Sequence, residues 1–291
     1  MKLHGTITAL ITPFRGGTVD FDALTRLVES QIAAGVDGLV PCGTTGESPT
    51  LSKDEHKRVV ECVTRAARKR VPVIAGAGSN NTAEAVRLAR EAAELGADAL
   101  LVVAPYYNRP NQEGLYQHFA AVASATPLPI VLYNIPGRCG VEVSVETLRR
   151  LREAHPTIVS VKHATGSVGG AAELLGAVKI EVLSGDDPIT QPLMALGAVG
   201  VVSVISNLAP RAVKRLTQSA LEGDAAGALA AHRALWPLMH GLLALDVNPI
   251  PIKTAMAMRG HCAEEFRLPL VSLAPEKRGR LETLLRDHAL D

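Results

Sequence analysis

An eightfold alternation of two patterns constrains this chain more than any other feature. Short β-rich runs end in Gly, Pro, Asn or Thr, and each is followed by a longer run with apolar residues at helical spacing. The strand candidates are residues 5–12, 38–42, 72–76, 99–104, 129–134, 158–163, 180–184 and 200–205. Helical runs follow at about 20–35, 52–69, 82–96, 112–125, 144–154, 169–178, 188–197 and 209–222. Eight strand–helix units predict an α/β chain folded as a closed (β/α)8 TIM barrel. Runs such as Leu100-Leu101-Val102-Val103 do not alternate cleanly, which suits parallel strands covered by helices. An open doubly wound sheet is the alternative, but the first strand lacks the G-x-G-x-x-G fingerprint after it.

The eighth unit ends near residue 224 of a 291-residue chain. A catalytic barrel is therefore expected over 1–224 and additional C-terminal helices, packed on or beside it, over 225–291. No Ser/Gly-rich linker separates them, so a freely moving second domain is not expected. Helix starts are legible at Ser52 with Glu55 and at Asn81 with Glu84, both at capping-box spacing. Gly35, Gly96 and Gly223 stand where helices should stop.

Composition excludes several partner classes. Thirty basic residues face twenty-nine acidic ones, and a formal charge of +1 gives no reason to expect nucleic acid or an anionic membrane surface. Apolar runs stay shorter than about 18 residues, so a transmembrane span is not expected. The opening MKLHGTITALITPF resembles a charged segment before a short apolar stretch. It alternates at Thr6, Thr8 and Thr12 and lacks a convincing cleavage site, so it reads as a strand. Cys42, Cys62, Cys139 and Cys262 form no CxxC pair; their scatter points to small buried thiols in a reducing cytoplasm, with no metal site.

In a barrel of this kind the chemistry sits at the C-terminal strand ends, and the polar and aromatic residues collect there. Gly43-Thr44-Thr45-Gly46-Glu47 follows strand two, Pro105-Tyr106-Tyr107-Asn108 strand four, Tyr133-Asn134-Ile135-Pro136-Gly137-Arg138 strand five, and Ser184-Gly185-Asp186-Asp187 strand seven. Lys162 lies inside strand six. Alternation puts it on one face with Ser160 and Ala164, with valines on the other face under the helices. Desolvation favours a lysine's neutral amine, the form that attacks a ketone, and the resulting iminium is an electron sink. A lysine paired with a carboxylate at the barrel mouth is the plainer alternative. Tyr133 is placed to pass protons, or simply to rest its hydroxyl at the rim. Thr44 and Thr45, flanked by glycines, offer hydroxyls and backbone N–H groups to a carboxylate, or form an ordinary turn. Arg138 offers a planar fork for a carboxylate, or is a surface arginine.

Taken together, GTTGES, PYYNRP, YNIPGR, VKHATG and LSGDD, with ITALITPF, NPIPIK and RLPL, resemble the dihydrodipicolinate synthase / N-acetylneuraminate lyase family of class I aldolases. The resemblance implies that Lys162 forms a Schiff base with pyruvate and that Tyr133 donates and accepts protons. It implies a relay in which Thr44 links Tyr133 to Tyr107 of a neighbouring subunit. Thr45, Val202 and Gly185 would bind substrate, with Thr45 on the pyruvate carboxylate and Val202 lining the pocket through its carbonyl. Arg138 would hold the carboxylate of L-aspartate 4-semialdehyde. The product would be 4-hydroxy-tetrahydrodipicolinate, the first committed step of diaminopimelate and lysine synthesis, made without metal or organic cofactor by a homotetramer.

Two alternatives stand beside this reading: an aldolase or lyase for a 2-keto-3-deoxy sugar acid or N-acetylneuraminate, and a non-enzymatic keto-acid or lysine sensor. Arg138 and the Thr44-Thr45 pair favour the small amino-acid aldehyde. His56, Asn80, Glu84 and Tyr106 match positions that bind L-lysine in feedback-sensitive members. Pro49 and Lys53 replace residues that are commonly Ala and His there. His163 also departs from the family, where Glu usually follows the Schiff-base lysine; it should point away from Lys162.

Overall fold

The computed structural model describes residues 2–288; Met1 and 289–291, the outermost ends of the two expected divisions, lie outside the described residues. Eight parallel strands form one sheet: β1 (Gly5–Ala9), β2 (Gly38–Val40), β3 (Ile74–Gly76), β4 (Ala99–Val103), β5 (Ile130–Asn134), β6 (Ile158–His163), β7 (Glu181–Ser184) and β8 (Gly200–Ser203). Their order is β2-β1-β8-β7-β6-β5-β4-β3. The circle closes between β2 and β3 through a parallel bridge, Leu39 to Val73, and through Gly76 N donating to Pro41 O at 3.0 Å. Gly76 makes that seam possible, because a Cβ there would stand 2.1 Å from Cys42 O.

Helices α1 (Phe21–Ala33), α2 (Lys53–Ala67), α3 (Thr82–Glu94), α4 (Gln112–Ser124), α5 (Val145–Ala154), α6 (Val168–Ala177), α7 (Thr190–Ala195) and α8 (Pro210–Leu221) cover the strands. Beyond the eighth unit come α9 (Ala225–Leu245), α10 (Ile250–Met258) and α11 (Pro275–Asp287). Two apolar clusters result. One lies between strands and helices and includes Leu100, Leu132, Val161 and Leu216. The other fills the barrel and includes Ile7, Val40, Leu101, Val131 and Val202.

Several elements are shorter than their sequence patterns. The apolar run leaves the ladder after Leu10, whose N–H still donates to Val40 O at 3.0 Å, because Asn207 takes over the flanking backbone groups: Asn207 Nδ2 donates to Ala9 O at 2.7 Å and Ile11 N donates to Asn207 Oδ1 at 3.1 Å. The expected helix over 188–197 becomes a 3-10 turn, Asp187–Ile189, before α7. A two-residue hairpin, Phe14–Arg15 with Thr18–Val19, and a single helical turn, Pro136–Cys139, were not expected. Ser52 and Glu55 form the predicted reciprocal cap. Asn81 caps Ala83 N, but Glu84 does not reach back; it turns to the Arg87 fork at 2.8 and 3.0 Å, a charge-assisted partner stronger than an amide N–H.

The expected face pattern of β6 needs one correction. Ile130 pairs with Ile158 but Val131 pairs with Ser160, so Val159 is an extra residue. The bulge resets the alternation. Ile158 and Val161 face the helices, whereas Val159 packs against the barrel interior instead of under them.

Candidate active site

After the bulge, Ser160, Lys162 and Ala164 point into the barrel as alternation predicts. Tyr133 and Lys162 are direct partners across β5 and β6, with Val103 and Leu183 in register on either side. Lys162 is 5% exposed, and its Nζ lies 4.0 Å from the Tyr133 ring centroid. No carboxylate salt bridge to Lys162 is found among the described residues, unlike the plainer alternative of a paired rim lysine. Its acidic neighbour is Asp186: burial pushes that carboxyl above its ordinary range, against the opposing pull of the Lys162 charge.

Around this pair the strand ends are tied together by hydrogen bonds and close contacts. Gly185 N donates to His163 O at 2.7 Å, and a Cβ on Gly185 would stand 2.5 Å from the Ala164 Cβ. Asp187 is half-buried and accepts from Ser203 Oγ at 2.5 Å and Val204 N at 2.9 Å, which fixes the end of β8 just after the buried Val202. Burial holds the Asp187 carboxyl above its usual range, opposed by those hydrogen bonds. His163 faces away from Lys162, its Nε2 within 3.0 Å of Ser167 O and 2.9 Å of Thr165 Oγ1, so it ties β6 to the loop before α6.

The Gly43–Glu47 turn is built from its own backbone. Gly46 N and Ser48 N both donate to Gly43 O, and Glu47 N donates to Thr44 O at 3.1 Å. Thr45 is buried, and its Oγ1 accepts from Asn248 Nδ2 at 3.0 Å. The exposed Arg138 donates from Nη2 to Asn248 O at 2.9 Å. Asn248 thus joins the two expected carboxylate holders, and its buried Oδ1 has no partner among the described residues. In the sequence, Asn248 and Lys253 stand out only as letters of the NPIPIK motif. The signal for Lys253 is present in the sequence: it is the one charged residue of Ile250–Met258.

Tyr107 is not brought to this group. It is 89% exposed with φ +73°, a left-handed backbone that costs a non-glycine residue roughly 1–2 kcal/mol. A cavity of about 340 Å³ lies beside the barrel mouth, lined by Thr44, Arg138, Val103 and Ile135 and by Pro49, Lys53, His56, Glu84 and Tyr106. Lys162 and Tyr133 are not among its lining residues, and neither is Asn80, whose carbonyl accepts from Asn108 Nδ2. His56 Nε2 donates to Gly76 O at 3.0 Å, leaving Nδ1 buried without a partner among the described residues; burial lowers its pKa. Glu84 is held below its ordinary range by the Arg87 fork, with Lys53 3.6 Å away.

Comparison with known proteins agrees with this geometry. The dihydrodipicolinate synthetase family matches residues 2–288. The 4-hydroxy-tetrahydrodipicolinate synthase of Pelobacter propionicus is 51% identical over 288 residues, covering 98% of this chain and 99% of that one. The structure of the 4-hydroxy-tetrahydrodipicolinate synthase of Methylacidiphilum fumariolicum superposes with a TM-score of 0.96 at 50% identity, covering 98% of this chain and 95% of that one. The chloride-inhibited dihydrodipicolinate synthase of Acinetobacter baumannii, solved in complex with pyruvate, gives 0.97 at 44% identity over 100% of both chains. This chain belongs to the dihydrodipicolinate synthetase family.

Proposed function

We propose that this chain condenses pyruvate with L-aspartate 4-semialdehyde to give 4-hydroxy-tetrahydrodipicolinate, the entry to diaminopimelate and lysine synthesis. The observation that carries the reading is Lys162, buried inside the barrel beside Tyr133, in a chain half identical to enzymes of that name. In this mechanism Lys162 Nζ adds to the pyruvate ketone and water leaves, giving an iminium. Loss of a methyl proton gives an enamine, which attacks the aldehyde carbon. The amino group of the semialdehyde then attacks the iminium carbon, closes the ring and releases Lys162. Tyr133 moves the protons, in a relay through Thr44 to Tyr107 of a second copy. Thr45, Val202 and Gly185 shape the pyruvate pocket, and Arg138 clamps the semialdehyde carboxylate. No step uses a metal or organic cofactor.

The strained, exposed Tyr107 supports a homo-oligomeric site, because a large aromatic held outward in a costly conformation gains nothing within its own chain. We assign a homotetramer, a barrel unit over 1–224 and a helical unit over 225–291. A cytoplasmic location is supported by four free cysteines. No helix among the described residues is long and apolar enough to cross a membrane. We assign the cavity beside the mouth to L-lysine as inhibitor, through His56, Glu84, Tyr106, Pro49 and Lys53, with Asn80 at its border. Glu84 would then share its carboxylate between the ligand ammonium and the Arg87 and Lys53 already beside it.

A coupled assay with pyruvate and L-aspartate 4-semialdehyde, run against 2-keto-3-deoxy sugar acids, tests the reaction. Turnover with the semialdehyde alone is expected; turnover only with the sugar acids would overturn the assignment.

A further inference from the structure

The C-terminal extension carries a second buried lysine, far in sequence from the first. Lys253 and Glu47 have side chains that are 0% exposed, joined by Nζ to Oε1 at 2.6 Å. Lys253 Nζ also lies 3.9 Å from the Phe14 ring centroid and 5.2 Å from that of Phe266. Burial lowers the Lys253 pKa, and Glu47 opposes that shift by holding the ammonium. A pair so desolvated is a poor way to gain stability, since well-packed apolar residues of the same volume commonly do as well or better. Helix α10 does not require it: Ile250, Ile252, Ala255 and Met256 already anchor that helix in the core.

Position gives the pair its meaning. Glu47 is a non-glycine residue at φ +53° and ψ +36°, at the end of the turn that carries Thr44 and Thr45. Its N–H donates to Thr44 O, and its carbonyl accepts from Thr50 N and Thr50 Oγ1. A glycine would adopt this backbone without strain, so a glutamate here is held for its carboxylate. Five residues before Lys253, Asn248 holds both Thr45 Oγ1 and the Arg138 guanidinium. Residues 248–253 therefore lie as a splint against the turn, gripping it at Thr45 and at Glu47.

We propose that the buried Lys253–Glu47 pair is a positioning device that sets the Thr44–Thr45 turn for pyruvate, so that α10 of the C-terminal extension is part of the catalytic apparatus. This rests on the reading that the turn binds pyruvate beside Lys162. Neither member touches substrate. Each acts through the turn, and a displacement of about 1 Å in such a group costs on the order of 10²-fold in rate.

The test uses Glu47→Gln, which keeps a hydrogen-bonding oxygen but removes the charge, and the double variant Glu47→Leu/Lys253→Met, which replaces the pair by apolar residues. Melting temperature is measured together with kcat/KM for pyruvate and kcat/KM for the semialdehyde separately, well below the melting transition. A selective fall in kcat/KM for pyruvate, on the order of 10²-fold in the double variant and with the semialdehyde value much less changed, is expected whatever happens to the melting temperature. Equal losses in the two parameters, or none, would overturn the proposal and leave the pair a structural contact. If the double variant does not fold, Glu47→Gln decides by the same criterion. Borohydride trapping of pyruvate on wild-type Lys162 separates the two levels. Without that adduct the functional reading itself fails; with it, an unselective variant sinks only the positioning claim.

Discussion

At the level of single residues, the chemistry depends on which side chains enter the barrel. Lys162→Ala is expected to lower turnover by at least about 10³-fold, the magnitude of removing a covalent nucleophile, with the melting temperature retained; steady-state kinetics and calorimetry check both. Gly185→Ala should lower both activity and melting temperature, since its Cβ would stand 2.5 Å from that of Ala164. His163→Ala should lower the melting temperature yet keep turnover per folded molecule, because the ring bonds Thr165 and Ser167 on the side of β6 away from Lys162. A tenfold loss of kcat for that variant would contradict the geometry. The inward face of Lys162 was legible because strand alternation has a period of two. The bulge at Val159 was not, because Ile158 and Val159 are both β-branched and apolar, and either fits either cluster.

At the element scale the eight strand–helix units were legible and their ends were not, because side chains remote in sequence finish them. Asn207 ends β1, and Arg87 takes Glu84 from its cap. The same kind of long-range contact joins the C-terminal extension to α2. Arg267 reaches the Glu55 carboxylate at 2.5 and 2.8 Å and pulls its pKa from 4.5 down to about 2. A carboxyl with a depressed folded pKa adds stability that is fully present above its unfolded value and lost as pH falls through the folded one. Stability from this contact should therefore be complete above about pH 4.5 and gone near pH 2. Glu55→Gln should melt lower at neutral pH and show a flatter decline between those limits in denaturation curves. Arg138→Ala, on the short turn after β5, should cut kcat/KM for the semialdehyde far more than for pyruvate.

At the scale of the whole molecule, two things lay beyond reading from local pattern. One is that the C-terminal extension holds the turn after β2, because Glu47 and Lys253 stand 206 residues apart in the chain. The other is the outward Tyr107, which a single chain leaves in solvent. Mixing inactive Tyr107→Phe and Lys162→Ala variants should restore part of the activity if a second copy completes the relay, with light scattering reporting the assembly. Titration with L-lysine should lower turnover, and Glu84→Gln should remove that response; unaltered turnover across the titration would contradict the assignment of the cavity. The predictions on turnover depend on one covalent event. Reduction with borohydride in the presence of pyruvate, followed by mass spectrometry of the intact protein and its peptides, reads it directly. One pyruvate-derived adduct per chain is expected, located on Lys162 and absent from Lys162→Ala. An unmodified chain, or an adduct on any other lysine, would contradict it.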